Sequence, residues 1–203
     1  MKKPSDFDQV QAAGGFPTVE LGGHILIIQD IRVETPPNAS EKIVLKYDMY
    51  SSDKQAGFYQ SSFDNDNRNP KKWRGTYQQV MFNKNGSSNA FFKQLTDAIK
   101  ASNQGWDVPY DDNDPQNIKF RNGFKNKLVG AVFGREQYEV VATGELKFAT
   151  KIFNFESIAK IKEGVEVPKD KLKYPNGNNN SPGNYEVGSG DLIPVEDMGE
   201  MPF

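Results

Sequence analysis

The chain contains no cysteine and a single histidine in 203 residues. Without thiols there is no disulfide framework, no thiol nucleophile, no zinc ribbon and no cysteine-held iron–sulfur cluster. Long apolar runs are missing too: the longest, Ile25–Ile28, falls far short of the roughly 20 residues that span a bilayer. Residues 1–20 carry Lys2 and Lys3 but lack the apolar stretch of a signal peptide. A soluble, cytoplasmic protein with no membrane association is therefore expected. Hydrophobic residues are scarce at 36%, although aromatics reach 12%. A core can form, but part of the chain is expected to lie outside it. Net charge is only −2, so bulk charge argues neither for nor against a polyanionic partner.

Signatures of catalysis are also lacking. His24 stands at the start of a predicted strand, with no Gly-x-Ser-x-Gly elbow to partner it, and reads as an exposed or strand-end histidine. Neither a P-loop nor a Gly-x-Gly-x-x-Gly follows any predicted strand. Asp64-Asn-Asp66 and Asp111-Asp112-Asn-Asp114 resemble cation loops only superficially. Arg68 stands where the first needs an oxygen ligand, and neither is followed by the required Gly and Glu. They read as solvated loop acids. The expectation is a non-enzyme with no catalytic residue, no metal and no cofactor.

The near-neutral total conceals a division. Residues 173–203 hold Lys173 against Glu186, Asp191, Glu196, Asp197 and Glu200, a net of −4, which leaves the body, 1–172, at +2. The tail opens with a Pro/Asn/Gly/Ser-rich stretch whose apolar surface cannot offset the entropy of ordering, so a flexible linker is expected. Within the body, 119–135 has five bases and no acid, and 65–84 has five bases and one acid. Both stretches also carry aromatic residues.

Periodicity supplies the elements. Strands are predicted at His24–Glu34, at Lys42–Tyr50 and at Gly57–Phe63; the alternation of the second gives one buried face and one face free to bind. Residues 76–82 fit a short strand or a helical turn equally. Asn89–Ser102 is a capped helix whose Phe92, Leu95 and Ile99 form one stripe. Strands return at Lys127–Arg135 and Tyr138–Glu156, the latter interrupted near Gly144, and a turn or helix at Ser157–Glu163 closes the body. Three strands, a helix and two strands match a mainly β, five-stranded OB-fold (Greek-key) barrel with its helix between strands three and four. A β-sandwich with one packed helix is the alternative. The organisation is an N-terminal arm (1–20), an OB-fold domain (21–172) and a linker with an acidic tip (173–203).

Single-stranded nucleic acid is held by cations along its phosphates and by aromatic faces against its bases. Lys46 and Tyr50 on the second strand, Tyr59 on the third, and Lys71, Lys72, Trp73, Arg74 and Tyr77 beyond it supply both kinds of group. Phe120, Arg121, Phe124, Lys125 and Lys127 repeat the pattern before the fourth strand, although Phe120 and Phe124 read equally well as core. Trp73, flanked by Lys71, Lys72 and Arg74, is the favoured stacking residue. The tail, ending in Met201, Pro202 and Phe203, suits presentation of a short acidic peptide to a basic partner pocket.

Asp191, Glu196, Asp197, Glu200, Met201, Pro202 and Phe203 behind a Gly/Asn-rich linker resemble the acidic Pro-Phe tip of bacterial single-stranded DNA-binding proteins. The body is more similar to OB-fold single-stranded DNA-binding proteins of phages and mobile elements of Gram-positive bacteria. Asn103-Gln-Gly105, Tyr138-Glu-Val, Gly144-Glu-Leu-Lys and the run from Ser157 through Gly164 to Lys171 carry that likeness. The resemblance implies a non-sequence-specific single-stranded DNA-binding protein acting in replication, recombination or repair in the bacterial host cytoplasm. It further implies a tip that recruits replication or recombination proteins. Oligomeric state, a homo-oligomer included, is left open. The competing expectation is a virion-type β-domain that binds protein and ignores DNA.

Overall fold

The computed structural model of the protein describes residues 17–37 and 40–174. The predicted tip residues, Asp191 to Phe203, and most of the N-terminal arm lie outside them. Strand periodicity sets the frame. β1 (Gly22–Glu34) pairs antiparallel with β2 (Lys42–Met49), and Ile43, Leu45, Tyr47 and Met49 of β2 point into the core. The opposite face of β2 is not free along its length: Val44 and Asp48 are buried as well, and Lys46 is half-buried.

Asp48 is met by α1 (Phe58–Asp64), a helix where the sequence pattern predicts a third strand. Its N-cap, Gly57, has φ 66° and no side chain to offer the first amides. Asp48 replaces the missing cap from the neighbouring strand. Its Oδ1 accepts the Tyr59 N–H at 2.9 Å and its Oδ2 accepts the Gln60 N–H at 3.1 Å. A carboxylate there satisfies otherwise orphaned donors and meets the positive end of the helix.

β3 (Thr76–Val80) is a strand on the outer edge of β2, which settles the 76–82 ambiguity. α2 (Ala90–Ser102) follows as predicted, with Asn89 Oδ1 accepting the Phe91 and Phe92 amides and Phe92, Leu95 and Ile99 buried. α3 (Ile118–Phe124) is a second helix before β4, which the sequence pattern does not announce. β4 (Leu128–Glu139) and β5 (Leu146–Glu156) form a hairpin; Gly144, at φ 69°, donates its N–H to the Val140 carbonyl at 2.7 Å and makes the expected interruption the turn itself. α4 (Ile158–Glu163), capped by Ser157, packs on β4.

The result is a mainly β fold around one five-stranded antiparallel sheet in the order β3-β2-β1-β4-β5. Among the described residues the sheet is open, with no ladder joining β3 to β5. Its two edges nevertheless meet through side chains: the Tyr77 ring stands edge-on to Phe155 with centroids 4.9 Å apart. Register shifts between Ile28 and Asp30 of β1 and between Val132 and Phe133 of β4 give the local bend and extra twist that curl a sheet. The chain then returns along β4, where Lys171 exchanges backbone hydrogen bonds with Arg135 and Gln137.

Tyrosines are built into this interior. Tyr47 and Tyr59 are buried with their rings edge-on at 5.3 Å. Burial pushes the Tyr59 and Tyr77 hydroxyls up to about 12, and Tyr47 higher than its usual value. The unfolded chain ionises these groups near pH 10 while the native protein resists, so stability falls as pH rises from 10 to 12. Each tyrosine removes up to about 1.4 kcal/mol per pH unit in that window. Thermal melts at successive alkaline pH values, read beside tyrosinate absorbance, are expected to show tyrosinate formation at the buried rings and unfolding together. Exposed tyrosines such as Tyr110 titrate in the folded protein, so ionisation of the buried tyrosines as well before unfolding would contradict the burial.

Candidate nucleic-acid interface

Trp73 lies in the segment between α1 and β3 and is half-buried against the rim of the core. Its indole Nε1–H donates to the Gly75 carbonyl at 3.1 Å, an oxygen that also accepts the Tyr47 amide at 2.8 Å. The ring is therefore tied to the end of the β2–β3 ladder. Phe63, the last aromatic of α1, leans against it with centroids 5.7 Å apart. Lys46, projecting from β2, places its ammonium 4.3 Å from the ring centroid, within cation–π range. Lys71 donates to the Asp64 carbonyl at 2.7 Å and sits 5.7 Å from the Phe63 centroid. Lys72 and Arg74 are exposed on either side of Trp73.

The same loop is stiffened by Asp66. Its carboxylate accepts a bifurcated hydrogen bond from the Arg68 Nε–H, one at 2.6 Å from Arg68 Nη2, and one from the backbone amide of Lys72. The Arg68 guanidinium holds the Asp66 carboxyl well below the usual carboxylate range. This acid anchors the loop that presents the cations.

The other predicted residues divide by burial. Tyr59, Phe120 and Phe124 are 7%, 6% and 0% exposed and belong to the core, so they are withdrawn as stacking platforms. The cause for Tyr59 is the helical α1, which turns it inward onto Tyr47 rather than along a strand face. Phe120 and Phe124 form the inner stripe of α3, 4.9 Å from each other, and Phe124 lies 5.1 Å from Trp106. Tyr77 is half-buried and spends its ring on Phe155 and its hydroxyl on Gln79. Tyr50 is half-buried at the end of β2.

Arg121 and Lys125 are exposed and Lys127 is half-buried. Arg121 Nε donates to the Ile31 carbonyl at 3.0 Å, and Ile31 pairs with Leu45, the residue before Lys46. Lys46 in turn pairs with Thr76 of β3. The two basic stretches, far apart in sequence, are thus stitched to adjacent rungs of β1, β2 and β3. Asp30, the β1 partner of Lys46, is the acid in that neighbourhood.

Sequence reasoning passes over three exposed rings, one of them Phe91 on α2 at 47%. Phe148 on β5 is 43% exposed and carries the Arg135 guanidinium 5.2 Å from its centroid, with Arg135 held bidentately by Asp170. Tyr110 is 61% exposed beside Phe120. Pairing across the Gly144 turn, which sets Gln137 opposite Phe148, is the signal that brings Phe148 near Arg135.

His24 is not at the surface as its strand-end position suggests; it is fully buried. Nδ1 lies 2.9 Å from Asp53 Oδ1 and Nε2 lies 2.9 Å from the Glu20 carbonyl. Both ring nitrogens are engaged in holding the β2–α1 turn and the entry to β1. The loop acids are likewise used internally: Asp111 pairs with Lys119, which lowers its carboxyl below the usual range. Among the described residues no three His, Asp or Glu side chains gather as a metal site, and no helix is long and apolar enough to cross a membrane. No protein-family model matches the chain, and no curated protein matches it significantly.

Proposed function

We propose that this chain is a non-enzymatic, OB-type protein that binds single-stranded DNA without sequence preference, in replication or recombination of a phage or mobile element. The strand order supports the fold assignment. Joined at β3 and β5, the sheet would be a five-stranded Greek-key barrel, and a partly open barrel is common for this architecture. The observation that carries the reading is Trp73: a half-buried indole fixed by Gly75 and Phe63, with Lys46 against it and exposed Lys72 and Arg74 beside it. A fixed ring beside cations is what sequence-tolerant binding of an unpaired strand requires, because every base offers a π-face and every nucleotide a phosphate.

The deciding experiment is competition between labelled oligo(dT) and unlabelled oligo(dT) or duplex of equal length. Displacement by single strand at far lower concentration than by duplex is expected. Trp73→Ala is expected to weaken oligo(dT) binding by about 1–3 kcal/mol, the worth of one stacked base. A lower melting temperature with unchanged affinity would instead make Trp73 purely structural. In this reading residues 191–203 recruit partner enzymes. Their removal is expected to leave oligo(dT) affinity intact or tighter and to abolish capture of those partners; lost DNA binding would contradict that role. A virion-type interaction module predicts self-assembly and indifference to both nucleic acids.

A further inference from the structure

Lys46 occupies the surface that a base would need. Its ammonium stands 4.3 Å from the Trp73 centroid, while the tilted Phe63 ring stands 5.7 Å from the same ring. A base cannot stack on a ring face that already carries an ammonium group. From this geometry we infer that Lys46 and an incoming base exchange places. The base takes the indole face, and Lys46 swings on its four-carbon stem to the phosphate of the nucleotide it has admitted. The inference rests on Trp73 being the stacking residue and adds how that site is kept ordered when empty. Without a ligand, the half-buried lysine rests against the half-buried ring. With one, each acquires a better-matched partner, since the ammonium exchanges a weak quadrupole for a full negative charge.

The chemistry has a thermodynamic signature that simple co-operation of the two residues lacks. Binding must break the Lys46–Trp73 contact, so either single substitution removes part of the opposition to binding along with its own contribution. Losses from the two single variants are therefore individually too small. The Lys46→Met/Trp73→Ala double variant is expected to lose about two- to fivefold more affinity than the product of the single losses, the range set by an exposed cation–π contact. If Lys46 stayed on the ring in the complex, the double loss would equal or fall below that product.

The experiment is a double-mutant cycle on the full chain with fluorescein-labelled oligo(dT) at several salt concentrations, each variant checked by thermal melting. Lys46→Met is also expected to flatten the log affinity against log salt plot by about 0.7, the loss of one phosphate contact on a single strand, while Lys46→Arg restores the slope. This slope decides the matter by itself should Trp73→Ala not fold. An unchanged slope in Lys46→Met, with wild-type binding intact, overturns the exchange and leaves the site standing. A wild-type chain that fails to bind oligo(dT) overturns the site and the exchange together.

Discussion

Phe124→Ala is expected to lower folding stability by about 3–5 kcal/mol while leaving the oligonucleotide affinity of the folded protein unchanged. Phe124 is fully buried, edge-on to Trp106 and tilted against Phe120, and Trp106 Nε1 is itself committed to the Gly123 carbonyl at 2.7 Å. Truncation leaves a void walled by large rings on a helix anchored at both ends, so collapse around it is limited. Against the 5–15 kcal/mol that typically holds a domain together, such a loss brings the protein close to unfolding at moderate temperature. Chemical denaturation read by intrinsic fluorescence gives the stability, and oligo(dT) titration below the melting range gives the affinity. Affinity that collapses while stability holds would return Phe124 to the binding surface.

Gly75→Ala has a different signature. A Cβ at residue 75 would lie 2.3 Å from the Tyr47 carbonyl oxygen, 2.8 Å from the Tyr59 ring and 2.9 Å from Trp73 Nε1. The first of these is backbone within the sheet and cannot swing aside. Relief requires Gly75 to back away from β2, which loosens the two hydrogen bonds its carbonyl accepts from Tyr47 and Trp73. The expected cost is about 1–3 kcal/mol of stability or somewhat more. Because the same carbonyl fixes the indole, affinity for oligo(dT) is expected to fall in parallel, toward that of Trp73→Ala. Loss of stability without loss of affinity would show that the Gly75–Trp73 hydrogen bond does not position the ring for binding. Phe124→Ala and Gly75→Ala thus separate core from site: one moves stability alone, the other moves both.

The parts of this architecture written locally in the chain are legible from it. β1 follows from its apolar, β-branched run, β2 from alternation and α2 from its apolar stripe behind a cap at Ser88 or Asn89, because their determinants lie in or beside each segment. α1 is not legible, since the group that caps its N-terminus, Asp48, comes from a strand, and its aromatic-rich text reads as strand. α3 is short, starts at Asn117 with φ 55° and has no side-chain cap, so neither length nor capping announces it. The site divides the same way. Trp73 is readable from its flanking lysines and arginine, whereas Phe63 and the Lys46 contact depend on packing between α1 and β2. Tyr59, Phe120 and Phe124 mislead because a ring beside a lysine looks alike whether the helix turns it outward or inward. Composition does not encode that rotation; the unforeseen helices do.

One titration bears most directly on whether this curled sheet grips unpaired DNA. Anisotropy of labelled oligo(dT) with the full chain, repeated as salt rises, is predicted to show saturable binding. The logarithm of its affinity should fall linearly with the logarithm of salt, by about 0.7 for each phosphate neutralised. No binding at low salt, or an affinity indifferent to salt, would contradict it.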